Sequence, residues 1–134
     1  MANFASKVDA VKHLERLWAG RPEAAYGVRI VNFIAEHTSS KYLPMNWFLE
    51  LGDRKDDKTI SRVVAYLTGA EMHFLNLNLE FIEEDYARFL DVDEANAATV
   101  NKINPLTGEP DPEIESKLFI YFSPTDSALE ILTR

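Results

Sequence analysis

Few side chains in this sequence have the type and spacing that chemistry requires, and the most suggestive are Asp111, Glu115 and Lys117. Two acids can hold a magnesium ion, and a nearby lysine can steady a nucleophile. Metal binding by imidazole is not indicated, because no histidine lies within four residues of another. We expect a surface or hydrogen-bonded role for each of the three histidines, His13, His37 and His73.

The spacing of the acids and the lysine speaks against catalysis. The fragments Pro110-Asp111 and Glu115-Ser116-Lys117 resemble the pieces of a PD-(D/E)xK nuclease site. That family places the two pieces on separate strands. Only three residues separate Asp111 from Glu115 here, which is too few to connect two strands. We therefore expect no nuclease site at this segment.

Other catalytic and metal-binding patterns also fail. Asp91 to Glu94 begins like a calcium loop, but Asn96 stands where the glycine is needed and Lys102 where the bidentate glutamate is needed. The sequence contains no cysteine, no Walker loop, and no GxGxxG or GxSxG motif. We predict a protein that is not an enzyme and needs neither a metal nor a cofactor.

Length and charge indicate one small acidic domain. The 134 residues match a single domain, and the formal net charge is −8. Residues 1–69 hold ten Lys/Arg against eight Asp/Glu, whereas residues 70–134 hold four against fourteen. This asymmetry indicates different partners for the two ends of the sequence, and a merely solvated acidic surface is the alternative. No stretch approaches ~18 apolar residues and acids interrupt the N-terminal segment, so we expect a cytoplasmic protein without a membrane span.

Apolar periodicity predicts four helices in the first half of the sequence, at residues 4–18, 27–37, 43–51 and 56–68. Pro22 can open the second of these helices, but Gly27 would weaken its first turn, so a start near residue 27 is the alternative. A strand remains the alternative for residues 43–51. The last of the four helices has a core stripe at i, i+3, i+4 and i+7, formed by Ile60, Val63, Val64 and Leu67.

The second half of the sequence predicts a sheet. The apolar period changes to 2 over residues 72–82, which indicates a strand with one buried face, and residues 118–122 could be its partner strand. Residues 83–100 are ambiguous, and a helical turn near Tyr86, with Glu83-Glu84-Asp85 at its N-terminus, is expected. Together the elements predict an α/β (α+β) domain, with N-terminal helices followed by a small antiparallel sheet that has a long acidic insertion.

The order of these elements resembles the winged helix-turn-helix family of bacterial regulators. The resemblance covers roughly residues 27–82 and is carried by Arg29-Ile30-Val31-Asn32-Phe33-Ile34, by Phe48-Leu49-Glu50-Leu51-Gly52, and by Lys58-Thr59-Ile60-Ser61-Arg62-Val63-Val64-Ala65-Tyr66-Leu67. It implies a winged-helix-like fold in which the helix at residues 56–68 reads the major groove and the following strands form the wing. It also implies a regulatory protein that binds double-stranded DNA.

Side chains beside the buried stripe of that helix can donate to phosphates or base edges. Arg62 could donate two hydrogen bonds to the edge of a guanine base. With two residues of the preceding turn, the candidate nucleic-acid-binding residues are Arg54, Lys55, Lys58, Thr59, Ser61, Arg62 and Tyr66. Acids in the same turn, at Asp53, Asp56 and Asp57, and an acidic wing would oppose phosphate binding.

A protein-interaction module without DNA affinity is the alternative function. An acidic domain can be an adaptor, an assembly subunit or a mimic of nucleic-acid charge. Trp18, Trp47 and Tyr66 are candidate anchors, because aromatic side chains dominate interface energetics, although core packing is the more frequent role of a tryptophan. The helix at residues 4–18 could pair with its copy in a homodimer or pack on its own domain.

Overall fold

The computed structural model of this chain describes residues 4–133 and has the mixed α/β fold that the sequence predicts. The α-helices are α1 (Lys7–Leu17), α2 (Pro22–Glu36), α3 (Met45–Glu50), α4 (Asp57–Thr68), α5 (Val92–Val100) and α6 (Asp126–Leu132). The strands are β1 (Leu43–Pro44), β2 (Leu75–Glu83), β3 (Tyr86–Phe89) and β4 (Leu118–Pro124), and a 3-10 helix spans Ile114–Lys117. Within residues 4–133, no helix is long and apolar enough to cross a membrane.

The strand order in the sheet is β1-β4-β2-β3. The predicted pairing of the strands at residues 72–82 and 118–122 is confirmed, because β2 and β4 are neighbours. The short helix expected at residues 43–51 is present as α3, preceded by the two-residue strand β1. Helix α6 follows β4, and its first turn is capped by the Thr125 side chain.

Residue contacts divide the chain into two compact units. Unit 1 comprises the residues up to Asn76 and those from Phe122 onward, and unit 2 comprises Leu77–Tyr121. Unit 1 holds eleven Lys/Arg against eleven Asp/Glu, whereas unit 2 holds three against eleven. Unit 2 therefore carries the whole net charge of −8. The expectation of a single domain stays a prediction.

In unit 1, α1 and α2 approach closely because a glycine lies between them. A Cβ atom at Gly27 would lie only 3.2 Å from Cδ1 of the buried Leu14. Of the two expected starts of α2, Pro22 is confirmed and the start near residue 27 is wrong, since the helix begins at Pro22. Proline suits a first turn, and packing against α1 offsets the low helix propensity of Gly27.

The core of unit 1 is built on the apolar stripe of α4. The stripe is confirmed, because each of its four residues is at most 2% exposed: Ile60, Val63, Val64 and Leu67. Phe48 of α3 and Phe122 of β4 pack into the same cluster, with ring centroids 5.5 Å apart. Trp18 is also part of this core, whereas Trp47 is exposed.

Unit 2 has a small core of its own, formed by Phe81, Ala98 and Ile114. The expected single buried face of β2 is only partly present, because Phe81 is buried and Leu77 is exposed. Strands β2 and β3 are antiparallel, and Glu80 lies opposite Phe89.

The expected helical turn near Tyr86 is wrong, because Tyr86–Phe89 is a strand. Glu83-Glu84-Asp85 accordingly lies at the end of β2 and in the turn that follows, and not at a helix N-terminus. Glu84 has a φ of 54°, so the chain reverses through a left-handed residue. A four-residue strand is too short for its apolar period to be distinguished from a helical turn.

Candidate binding surfaces

All seven predicted nucleic-acid-binding residues lie on α4 or in the loop before it. Lys58, Ser61 and Arg62 are exposed on α4, and Thr59 and Tyr66 are half-buried. Some of these seven side chains are engaged, which means that they already bond to or pack on other residues of the chain. Others are accessible to a ligand.

Arg62 is engaged by a buried acid. The Glu23 carboxylate at the start of α2 is only 2% exposed, and its Oε2 accepts hydrogen bonds from Arg62 Nη1 and, at 3.0 Å, from Arg21 Nη2. The pKa of Glu23 is lowered, first by its own backbone N–H and then by Arg62. A buried carboxylate needs such partners, so a guanine would have to compete with Glu23 for the guanidinium.

Arg54 is engaged by a neighbouring acid on the surface. Its Nη2 lies 3.0 Å from Asp57 Oδ2, and its Nε donates to the same carboxylate. The pKa of Arg54 is raised, and the hydrogen bond to Asp57 is the first cause. An exposed pair of this kind is weak, so a phosphate could displace Asp57, but the acid would stay beside it.

Tyr66 belongs to an aromatic group in unit 1. Its hydroxyl lies 2.6 Å from Nε2 of His13, and the two rings are stacked with centroids 5.9 Å apart. Trp18 meets the Tyr66 ring edge-on at 5.2 Å. Burial, and then Glu71, raise the pKa of Tyr66. Tyr66 therefore joins α4 to α1 and is not directed outward as an interface anchor.

Lys55, Lys58 and Ser61 are the accessible members of the predicted set. Among the residues that the structure describes, neither lysine forms an ion pair. Exposed acids at Asp53 and Asp56 lie in the same loop, where Asp56 accepts a hydrogen bond from the Tyr26 hydroxyl. The accessible surface of α4 and its loop is therefore mixed in charge.

Unit 2 contains a polar network that includes two of the three residues singled out for magnesium chemistry. Lys117 Nζ donates to Asp111 Oδ2 at 2.6 Å and to Glu83 Oε1 at 2.9 Å. Asn104 Nδ2 donates to the same two carboxylates, at 3.0 Å to Asp111 Oδ2 and at 3.2 Å to Glu83 Oε2. Glu115, the third residue, is exposed.

The lysine ammonium lies between the two carboxylates of this network. Lys117 and then Asn104 lower the pKa of Asp111 to about 2, and the two acids raise the pKa of Lys117. Across the described residues, no group of three His, Cys, Asp or Glu side chains is placed to hold a metal ion. The network therefore joins the end of β2 to the loop before the 3-10 helix. Sequence reasoning missed Glu83 and Asn104 here, because both are distant from Lys117 along the chain.

The segment that begins like a calcium loop starts a helix instead. Asp91 is the N-cap of α5, and its Oδ1 accepts from the Glu94 backbone N–H at 2.8 Å. Glu94 Oε1 accepts from the Asp91 backbone N–H at 3.3 Å, which completes a capping box. Glu94 also forms an ion pair with Arg88 at 2.6 Å. The carboxylates of Asp91 and Glu94 therefore already have partners within the protein.

One face of the unit 2 sheet carries exposed aromatic rings, which we call the aromatic face. The rings of Phe89 and Tyr121 lie 5.3 Å apart, and strand alternation places Phe119 on the same side as Tyr121. Glu80 faces the same side, because it lies opposite Phe89. Only one feature of the sequence indicates this aromatic face. Residues 118–122 are apolar at every position, which leaves both faces of β4 apolar.

A second apolar surface of unit 2 lies beside α5. A cleft of about 320 Å³ is open between β2 and this helix. Its apolar lining residues are Leu77, Leu79, Leu90, Val92 and Ala95. Leu77 and Val92 are exposed there, so unit 2 combines its acidity with apolar surface on more than one side.

Comparison of the chain with known protein families, characterised proteins and solved structures gave no match. Function must therefore be inferred from the side chains and surfaces themselves.

Proposed function

We propose that this chain is a protein-interaction module, without catalytic activity, whose unit 2 binds a cationic protein partner. The observation that carries this proposal is the coincidence of charge and apolar exposure on one unit. Unit 2 holds eleven acids against three bases, and its surface also bears large apolar side chains. A partner with basic and apolar side chains would match both properties.

The apolar side chains distinguish a binding surface from a merely solvated acidic one. Solubility is served by charge alone, whereas clustered exposed apolar groups mark interaction sites. Among the described residues, most of the exposed large apolar side chains lie on unit 2, and they are Leu77, Phe89, Val92, Val100, Leu106, Phe119 and Ile120. The alternative of a solvated surface gives no reason for this distribution.

Binding of a fluorescein-labelled oligolysine peptide, followed by anisotropy, tests the proposal. The variant in which four exposed acids of unit 2 become amides is expected to bind much more weakly, because it loses half of the net charge: Glu84→Gln, Asp85→Asn, Glu113→Gln and Glu115→Gln. The control removes four exposed acids of unit 1: Glu15→Gln, Glu36→Gln, Glu50→Gln and Glu71→Gln. Equal affinity of the two variants, or no binding by the wild type at low salt, would refute the proposal.

DNA binding through α4 is a second candidate function. The order α2, α3, α4 and β2, with β4 beside β2, supports the proposal of a winged-helix-like unit. The exposed Lys55, Lys58 and Ser61 favour phosphate contacts on the helix that would enter the groove. The engaged Arg54 and Arg62, and the zero net charge of unit 1, limit the affinity.

A mobility shift with a short DNA duplex at low salt tests this second candidate. Lys55→Ala with Lys58→Ala is expected to weaken binding and to reduce the slope of log affinity against log salt by about 2. Lys12→Ala with Lys41→Ala is the matched control, since both lysines are exposed in unit 1 and neither belongs to α4 or to the loop before it. A wild-type protein that shifts no DNA rules this candidate out.

A homodimer through α1 and a cytoplasmic location remain proposals from the sequence. Val8 and Leu17 support the dimer, because both are exposed on α1 while Leu14 of the same helix packs within unit 1. Val8→Ser with Leu17→Ser is expected to convert a dimer into a monomer in sedimentation. A wild-type monomer at high concentration would exclude the dimer.

A further inference from the structure

The aromatic face of unit 2 gives a more specific view of the partner, and this inference rests on the proposed function. Phe89 is 59% exposed and Phe119 is 46% exposed, although both belong to strands. The opposite face of the same sheet is covered in part, since Phe81 packs there with Ala98 of α5 while Leu77 is exposed. The unit's own helix therefore closes part of that face, and it does not cover Phe89 or Phe119.

The composition of the aromatic face defines the chemistry that it can recognise. Phe89, Phe119 and Tyr121 supply aromatic rings, and Glu80 lies opposite Phe89. Burial, and then the charge of Glu80, raise the pKa of the Tyr121 hydroxyl. A guanidinium group is planar, stacks on aromatic rings and donates to carboxylates in fork geometry. An ammonium group lacks the planar stacking and is more strongly hydrated.

The negative charge of unit 2 favours a cationic ligand for the aromatic face. Nucleic-acid bases also stack on such rings, but their phosphates would meet a unit with eleven acids and three bases. A second copy of this chain would bring the same acidic surface. A basic segment of another protein meets opposite charge around the rings and the carboxylate among them.

We propose that the aromatic face, formed by Phe89, Phe119 and Tyr121 around Glu80, is a docking site for an arginine-bearing segment of a partner protein. The arginine side chain stacks on the exposed ring of Phe89 or Phe119, and its guanidinium donates to the Glu80 carboxylate. The surrounding acids of unit 2 supply the general attraction for the basic segment, and the rings supply the preference for arginine over lysine.

Three labelled peptides test this inference on the full chain. They alternate glycine with arginine, with lysine or with uncharged citrulline, and their affinities are measured by fluorescence anisotropy. The arginine peptide is expected to bind about two- to fivefold more tightly than the lysine peptide for each stacked guanidinium. The citrulline peptide is expected not to bind. Phe89→Ser is expected to remove the arginine preference, whereas Val92→Ser, at an exposed apolar residue beside the cleft, leaves the preference unchanged.

The outcomes separate the docking site from the proposed function. If the arginine and lysine peptides bind equally to the wild type, the docking site is wrong while cationic recognition stands. If neither peptide binds at low salt, the proposed function itself fails. A resonance titration of the wild type does not depend on the folding of a variant: the arginine peptide should shift the ring signals of Phe89, Phe119 and Tyr121. Shifts confined to α5 would overturn the docking site.

Discussion

The buried carboxylate of Glu23 at the start of α2 accepts a hydrogen bond from Arg62 on α4, which joins helices that are distant in sequence. Arg21 shares the same carboxylate oxygen. The arginine that a sequence pattern assigns to a ligand is therefore part of the structural connection between α2 and α4. This relationship predicts how an Arg62 variant should behave.

Arg62→Ala is expected to lower the stability of unit 1, because it leaves a buried carboxylate with one arginine fewer. Arg62→Lys should restore part of the loss, since a lysine keeps the charge but not the fork geometry. Thermal unfolding measures the effect, and Lys58→Ala on the same helix is the control because Lys58 is exposed. Equal melting temperatures for Arg62→Ala and Lys58→Ala would show that the Glu23 pair does not stabilise the fold.

The polar network around Lys117 predicts a loss of stability in acid. The folded pKa of Asp111 is about 2, below its ordinary value of 3.8. The contribution of this lowered pKa is complete above pH 3.8 and is lost as the pH falls through about 2. Urea unfolding over this acidic range should show a smaller pH dependence in Asp111→Asn than in the wild type. An unchanged pH dependence would contradict the network's role.

The same network predicts the opposite behaviour in alkali. The pKa of Lys117 is raised above its ordinary value of 10.5, so its contribution is complete below that pH and is lost as the pH rises through the folded pKa. Lys117→Met should therefore destabilise unit 2 at neutral pH, as measured by faster amide exchange in β3. Lys102→Met is the control, because Lys102 is exposed and forms no ion pair within residues 4–133.

Periodicity predicted α4 because a single face of this helix is buried. The stripe Ile60, Val63, Val64 and Leu67 marks α4 with no further information. Pro22 was one of two expected starts of α2, and the sequence could not decide between it and residue 27, because the role of Gly27 depends on Leu14 of another helix. Strand β3 could not be predicted either, since its four residues show no clear period and its partner is β2.

The binding surfaces were less predictable than the helices, because they depend on contacts between distant residues. Helical spacing correctly placed Lys58 and Arg62 on the outside of α4, but it could not reveal that Glu23 engages Arg62. Similarly, the exposure of Phe89 and Phe119 follows from which face of the sheet α5 covers. A local pattern gives the direction of a side chain, whereas its availability is a property of the tertiary structure.

The stripe of α4 also sets an expectation for core variants. Leu67→Ala should cost about 2–5 kcal/mol, because it removes a fully buried side chain and leaves a cavity. Ala65→Ser, on the exposed side of the same helix, should change the free energy of unfolding by no more than about 0.5 kcal/mol. Chemical denaturation of the two variants measures both values. A small loss for Leu67→Ala would mean that α4 does not form the core of unit 1.

The capping box of α5 gives a final prediction, which separates a structural role of Asp91 from a calcium-binding one. Asp91→Ala should cost about 1 kcal/mol, because it removes the acceptor of the Glu94 backbone N–H. Asp91→Asn should cost much less, because an asparagine oxygen caps a helix about as well as a carboxylate does. A calcium site would respond in the opposite way, since the loss of one carboxylate charge weakens binding. We therefore expect unfolding in calcium and in a chelator to give the same midpoint for the wild type. A midpoint that rises with calcium, and fails to rise in Asp91→Asn, would show that the segment binds the ion after all.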